Sequence, residues 1–442
     1  MNERNDNRTL ERLVARCLDE ARARGASASE AAASLEDGLS VGVRLGEVET
    51  VEYQRDRSVG VTVYFGHRKG SASTADFSDT AVRETVDAAC RIAKFTAEDP
   101  HVGLADPKRL ATELPALDLD HPWSIAPPDA IELALRAENA ARGADPRIIN
   151  SDGADLSRHR GVRCYANSDG FVGTTTGTHH SIACAVIAGA DGTMQRDGWH
   201  TIARAESDLE APERVGERAA ARALRRLGAR RVATARVPVL FAPEVARSLI
   251  AHLLAAARGS AQYRRSSFLL GALGERVLPA SISVREEPLL RRGPASAAFD
   301  GEGVATRAGL LVDRGLLETY LLDSYSARRL GRETTGHAGG WTNVIVDGDG
   351  DSDALLARMG RGLLVTEMMG QGVNLVTGDY SRGATGFWVE DGVPVHAVEE
   401  ITVAGNLRTM LLGIVGVGAD LDRRYPIQVG SLLVDEMSLA GD

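Results

Sequence analysis

Between Thr366 and Gly392 the chain reads TEMMGQGVNLVTGDYSRGATGFWVEDG, with strand-forming residues interrupted by Gly370, Gly372, Gly378, Gly383 and Gly386. Glycine in a strand gives up a packing side chain in return for backbone freedom. Five of them in so short a span predict turns, bulges or the close approach of another backbone. A plain core strand needs none of these. The segment is therefore expected to form part of a β-rich unit with tight backbone geometry.

The rest of the chain supplies helices that alternate with β-rich stretches. Leu10, Leu13, Val14, Cys17, Leu18 and Ala21 fall on one helical face within 9–24. From Leu39 the pattern changes to β alternation, with turn signals at Leu45-Gly46-Glu47 and around Arg55-Asp56-Arg57-Ser58, which predicts an antiparallel meander. A helix over 79–95 with Ser78 as N-cap is expected to cover it. Prolines 107, 115, 122, 127 and 128 mark a connector. A helix over 129–142 follows, then strands over 161–190 joined at Asn167-Ser168-Asp169-Gly170, then a helix over 212–227. The last unit opens with the strand 237–241 and a helix carrying Pro243 in its first turn. The expected fold is α+β with mainly antiparallel sheets and covering helices: an N-terminal α+β region over 1–120, a central one over 121–233 and a β-rich domain over 234–442.

With 442 residues, 43% hydrophobic and 25% charged, the chain has material for several cores. Its net charge of −10 speaks against a nucleic-acid partner, which needs clustered excess Lys and Arg. The arginine-dense run 222–231 reads as a solvated face. No apolar stretch reaches membrane-spanning length, and the N-terminal MNERNDNRTL has no signal-peptide character. Cys17, Cys90, Cys164 and Cys184 form no CxxC pair. A reducing cytoplasm is the expected setting, with the cysteines as small core residues.

Most candidate chemistry fails on spacing. The acidic run from Asp347 to Asp353 begins like a calcium loop, but the sixth position is Ser352 and the twelfth is Arg358, so an acidic surface loop is expected. His179 and His180 are adjacent, and on a strand they point to opposite faces, one buried and one exposed. No nucleophile elbow, Walker loop or dinucleotide fingerprint occurs. A hydrolytic zinc site needs converging imidazoles or thiolates and a carboxylate for the metal-bound water. There is no HExxH or HExxxH, and none of the ten histidines has another at the helical spacing such a site requires.

Several separated motifs in order, GEVETVEYQRDRSVGVTVYFGHRKGSAST (46–74), YRRSSFLLGALGERVLP (263–279), LLDSYSARRLG (321–331), TGHAGG (335–340) and ITVAGNLRTMLLGIVGVGAD (401–420), together with the glycine-rich run, resemble the TldD/PmbA family of bacterial peptidase subunits, on its PmbA (TldE) branch. In that family the TldD-type members carry HExxxH on the helix after the first strand of the C-terminal domain, and a cysteine near the C-terminus. The matching helix here reads ARSLIAHLLAAARGS. The two histidine positions fall at Ala251 and Ala256, the glutamate position at His252 and the cysteine position near Val429.

The resemblance implies a noncatalytic but required subunit, with no cofactor of its own, in a cytoplasmic complex whose TldD-type zinc protease subunit holds the metal. Unfolded peptides would be the substrates. It also implies a peptide chamber in which His252, His337, Gln371, Asp379 and Arg382 contact peptide or partner, and it raises the question of whether His252, His337 and Glu367 converge. A peptide-binding or chaperone-like homodimer and a metal-independent hydrolase are the alternatives that the residues leave open.

Overall fold

The computed structural model describes residues 3–441, in which helices and predominantly antiparallel sheets give the expected α+β class. The N-terminal half runs α1 (Glu3–Ala23), β1 (Ala28–Arg44), β2 (Glu47–Phe65), β3 (Arg68–Thr74), α2 (Asp79–Phe95), α3 (Pro127–Gly143), β4 (Ile148–Asn167), β5 (Val172–Ala190), β6 (Thr193–Ala203) and α4 (Pro212–Arg225). Its six strands form one antiparallel sheet in the order β3-β2-β1-β4-β5-β6. The pairing of β1 with β4 joins the first β-rich stretch to the second in a single ladder, from Glu30↔Asn167 to Val43↔Ala154.

Strand periodicity divides this sheet into a covered face and a face turned to the rest of the molecule. Ala31, Ala33, Leu39, Val41 and Val43 of β1 point the same way as Val162, Cys164 and Leu156 of β4, and all four helices pack on that side. Helix α2 shows how local and tertiary signals agree. Val82, Val86, Ala89, Cys90 and Ala93 form its buried stripe, while Ser78 accepts the Ala81 amide as N-cap at 3.3 Å. Such a cap contributes about 1 kcal/mol and each buried valine about 1.5 to 3 kcal/mol. The four cysteines are free and buried in these cores.

Two sequence expectations are corrected in this half. The strand opening the sheet begins at Ala28 rather than Leu39, and no turn interrupts 55–58, because β2 runs straight through it. Residues 47–58 are exposed on both faces and pair only with β1, since β3 joins β2 from Val59 onward. Their charges protect a free strand edge, and locally that polarity is indistinguishable from a turn. The predicted turns at Leu45-Gly46 and 167–170 do occur, the first with positive φ at both residues.

The C-terminal half opens with β7 (Ala235–Phe241), α5 (Pro243–Ala257) and α6 (Gly259–Tyr263). It continues through β8 (Val284–Glu286), β9 (Gly309–Asp313), β10 (Leu316–Leu317), α7 (Ser324–Arg329), β11 (Val344–Val346), α8 (Ser352–Met359), β12 (Gly362–Met369), β13 (Asp379–Glu390) and β14 (Val393–Asn406). The last elements are α9 (Leu407–Leu412), β15 (Ile414–Val417), β16 (Ile427–Val429) and β17 (Leu432–Ala440). Five strands align as β10-β9-β8-β11-β16, and six as β14-β13-β12-β7-β17-β15. Because β14 also pairs with β17, the strands β14, β13, β12, β7 and β17 close into a ring. Helix α5 shares a core with Val239, Phe241, Leu363 and Val365 on one side of this sheet, and α8 packs with Leu240, Val389 and Leu433 on the other. The acidic run ends at α8, which Asp351 caps, while Asp347 pairs with Arg285 at 2.8 Å.

The 222–231 run is the predicted solvated face only in part: Arg225, Arg230 and Arg231 are exposed, whereas Arg222 and Arg226 are half-buried. Arg222 bridges Asp197 at 3.0 Å and Glu244 at 2.7 Å, and Arg226 donates to Glu367 at 2.6 Å and to the Thr385 hydroxyl at 3.1 Å. Helix α4 is thereby fastened to the C-terminal half by carboxylates that are remote in sequence. No described helix is long and apolar enough to cross a membrane.

Candidate functional site

The glycines of 366–392 act as backbone devices. Gly370 and Gly378 have φ of +77° and +85° at the ends of the β12–β13 connection, a region L side chains rarely adopt. Gly386 stands opposite a bulge between Val365 and Glu367, and a Cβ there would lie 1.8 Å from the Leu364 carbonyl oxygen. Of the polar residues on this segment, Gln371 and Asp379 are exposed. Arg382 donates to the Gly370 carbonyl at 3.0 Å, and Asp379 accepts from Thr377 at 2.6 Å.

On α5, positions 251 and 256 carry only methyl groups, Ala256 fully buried and Ala251 partly. His252 is half-buried, with its ring edge-on to Tyr380 at 6.1 Å and its Nε2 lacking a hydrogen-bond partner. Burial, and then the Arg382 guanidinium, lower its pKa. Burial pushes the Tyr380 phenol up to about 12. Val429 is fully buried on β16, which packs against α5. This corner therefore presents one imidazole beside a fixed cation. Zinc takes three or four nitrogen, sulfur or oxygen donors, and this donor set does not fit it. Among the described residues no cluster of three or more His, Cys, Asp or Glu has metal-binding geometry.

His337 and Glu367 do not join His252. The His337 Nε2 lies 2.7 Å from Glu286, which also accepts the Thr342 amide at 2.5 Å and the Thr342 hydroxyl at 2.7 Å. Burial raises the Glu286 pKa, but the hydrogen bond and charge of His337 and the Thr342 donors outweigh it and hold the carboxyl below its usual range. Asp300 accepts the Ala338 amide at 2.9 Å, so two acidic side chains pin the 335–342 loop. Glu367 is held by Arg226.

That pinned loop roofs a cavity of about 890 Å³, whose floor is the helix-free face of the N-terminal sheet. Register aligns Ala32, Tyr165 and Gly173 in one row, Ser34, Arg163 and Thr175 in the next, and Glu36, Gly161 and Gly177 in a third. Residues 295–301 form the opposite wall, anchored where Phe299 meets Phe171 edge-on at 5.1 Å. None of Ala251, His252 and Ala256 lines this cavity.

Arg204 lies at the end of the floor. Its guanidinium donates to the carbonyls of Thr178, Gly293 and Pro294 and to Nδ1 of His179, while Nε is buried without a partner. Burial lowers its pKa to about 10. His179 is partly buried rather than exposed, and burial and Arg204 bring its pKa down to about 4, while His180 on the other side is fully buried. The expectation of one buried and one exposed histidine fails because the C-terminal half covers the second face of the sheet.

Beyond Tyr165 two smaller cavities, of about 500 and 300 Å³, continue along the same face. Both are lined by Glu30, Lys69 and Glu302. Glu30 accepts the phenols of Tyr64 and Tyr165, each at 2.8 Å. Burial, and secondarily nearby Asp300 and Asp323, raise the Glu302 carboxyl to about 7 against the Ser324 donor. Sequence reading did not single out Glu30, Arg204 or Glu302. The only local signal was the small-residue run GTTTGT at 173–178, whose alternate positions open the floor.

Three family models match the chain in succession: PmbA/TldA metallopeptidase domain 1 over residues 30–93, the central domain over 120–227 and the C-terminal domain over 234–441. Metalloprotease PmbA of Escherichia coli O157:H7 is 48% identical over 433 residues, covering 98% of this chain and 96% of that protein. A solved Bacteroides thetaiotaomicron structure, described as a proposed modulator of DNA gyrase, superposes with TM-score 0.92 at 27% identity over 98% of this chain and 99% of its own. TldE from Thermococcus kodakarensis shares the fold with TM-score 0.84 at 21% identity, over 98% of this chain and 99% of its own.

Proposed function

The chain belongs to the PmbA/TldD metallopeptidase family, as a PmbA/TldE-type peptidase subunit, and from that membership we propose that it is the noncatalytic member of a complex whose zinc is carried by a TldD-type subunit. The observation that carries this reading is α5. Ala251, His252 and Ala256 stand where the resemblance places HExxxH, and Val429 stands at the cysteine position. Methyl groups cannot ligate zinc, and a lone imidazole facing Arg382 has neither the partners nor the electrostatics for it. The chain's contribution is to shape a chamber that admits extended peptides and excludes folded proteins. Main-chain hydrogen bonding to a strand edge is the mode that needs least side-chain selectivity. Four free cysteines suit a reducing cytoplasm.

Affinity capture of the full chain from its native cells, with mass spectrometry and metal analysis, tests the reading. The expected result is a co-purifying chain with HExxxH, zinc in proportion to that chain, and peptide hydrolysis only when both are present. Tightly held zinc with proteolysis by this chain alone overturns it. Self-association alone in cells that contain a TldD-type protein replaces it with a peptide-binding homodimer.

A further inference from the structure

The edge of β2 carries an order of charge that protection alone does not require. From Glu47 to Ser58 the strand is exposed on both faces and pairs only with β1, because β3 reaches no further than Val59. The edge is nevertheless rigid. At the β1–β2 turn the fully buried carboxylate of Glu138 accepts the amides of Leu45 and Gly46 at 2.7 and 2.9 Å, and at its other end β2 enters the six-stranded sheet. A strand already held extended has little ordering entropy left to lose when a further strand joins it.

Apolar side chains concentrate on the same edge. Leu45, Val48, Val51 and Tyr53 are all exposed, Tyr53 to 62%. One such residue needs no explanation, but a run of them does. Val51 and Tyr53 share a face with Arg55 and Arg57, opposite Val41, Leu39, Asp37 and Leu35 of β1.

The charges are antisymmetric about Glu52. One step away on either side stand Val51 and Tyr53, two steps Thr50 and Gln54, three steps Glu49 and Arg55, and five steps Glu47 and Arg57. Two copies of this strand laid antiparallel about a two-fold axis at Glu52 therefore set Val51 against Tyr53 and Glu49 against Arg55, each twice. At Glu49 the β1–β2 register shifts by a bulge, beyond which Glu47 of one copy is left within diagonal reach of Arg57 of the other. The only like-charged pair is Glu52 with its own copy. Within the chain these charges are loosely held: Arg55 lies 3.4 Å from Asp37, which Arg158 also pairs, Glu49 lies 3.9 Å from Arg44, and Arg57 sits over the Phe77 ring at 5.2 Å. Exposed contacts of this kind are worth little and leave the charges available.

We propose that residues 47–58 are a self-pairing edge, through which two copies of this chain join their N-terminal sheets into one antiparallel sheet in the register centred on Glu52. The same charges that discourage pairing in any other register or with an unrelated strand favour this one. The edge belongs to the N-terminal sheet and α5 to the C-terminal core, so the inference is independent of where the zinc resides.

Sedimentation velocity of the purified full chain, over a micromolar concentration series at low and high salt, tests the proposal. The parent is expected to be a dimer that dissociates more readily as salt rises. Arg55→Glu with Arg57→Glu, and separately Glu47→Arg with Glu49→Arg, are each expected to weaken it about a hundredfold or more, since each sets like charges opposite one another. Mixed in equal amounts, the two variants are expected to form a mixed dimer, because every ion pair returns with its signs exchanged. Glu52→Gln is expected to tighten the parent dimer about fivefold. A parent that stays monomeric over the whole series overturns the proposal, and so does a dimer that both double variants retain or that their mixture fails to restore. Should a double variant not fold, a parent dimer indifferent to salt and to Glu52→Gln overturns it instead. Each of these outcomes leaves the capture of a zinc-bearing subunit to its own test.

Discussion

A glycine at 386 is required by geometry. The bulge opposite it brings the Leu364 carbonyl oxygen to 1.8 Å from where a Cβ would stand, and the obstacle is backbone that no rotamer change can clear. Gly386→Ala is expected to cost more than about 3 kcal/mol, read as a fall in the chemical-denaturation midpoint, whereas Gly383→Ala, with 3.5 Å to Met369, costs about 1 kcal/mol or less. His179 carries a pH signature. Burial and Arg204 hold its folded pKa near 4, and Arg204 donates to its Nδ1, which must then be unprotonated. The unfolded chain protonates this histidine at about 6.5, so stability is lost as pH falls from about 6.5 toward 4. His179→Asn is expected to recover about 1 to 2 kcal/mol at pH 4.5 relative to the parent's loss from pH 7.5, a figure discounted for partial exposure. Equal acid sensitivity in the two proteins would refute this.

Elements were legible where one local signal was enough. Helix α2 forms over the predicted residues with the predicted cap, because its apolar stripe, Ser78 and acidic first turn agree. In β2 the run 55–58 reads as a turn only because polarity stands for turns as well as for strands wet on both faces, and pairing with β1 decides between them. Candidate site residues divide the same way. Ala251, His252 and Ala256 are legible as positions on one helix, whereas Glu302 reaches the cavity beside Glu30, and Gly293 and Pro294 reach Arg204, only through long-range docking of two halves. Arg226 belongs to that docking. With its side chain 12% exposed and bonded to Glu367 and Thr385, Arg226→Ala leaves a part-buried carboxylate without its cation. The expected loss is about 2 kcal/mol. Native-state hydrogen exchange checks it, with increased exchange in α4 and β12 and none in α2.

In the whole molecule the first two family segments are one body. Six strands from 28 to 203 form one ladder, and β1 has β2 on one side and β4 on the other. A fragment of residues 1–120 is expected to remain unfolded or aggregate, since one edge of β1 then has no partner, whereas 1–233 retains the sheet and its four covering helices. Circular dichroism with analytical ultracentrifugation separates these outcomes, and a monomeric, cooperatively melting 1–120 fragment would refute them. The ring formed by β14, β13, β12, β7 and β17 predicts a further asymmetry. Its closure leaves β15 as the terminal strand of that sheet, whereas the N-terminal sheet ends in β3 and β6 and carries the charged, singly paired stretch 47–58 of β2.

The β1–β4 pairing also sets a schedule for biosynthesis. On the ribosome β1 emerges on the order of a hundred residues before β4. At translation speeds of about 5 to 20 residues per second the nascent chain carries a half-satisfied strand for roughly ten seconds. During that interval α1, α2 and the exposed charges of β2 are its only shelter. Slowing translation between codons 75 and 148 should therefore lower the yield of native protein, and slowing it after codon 203 should not.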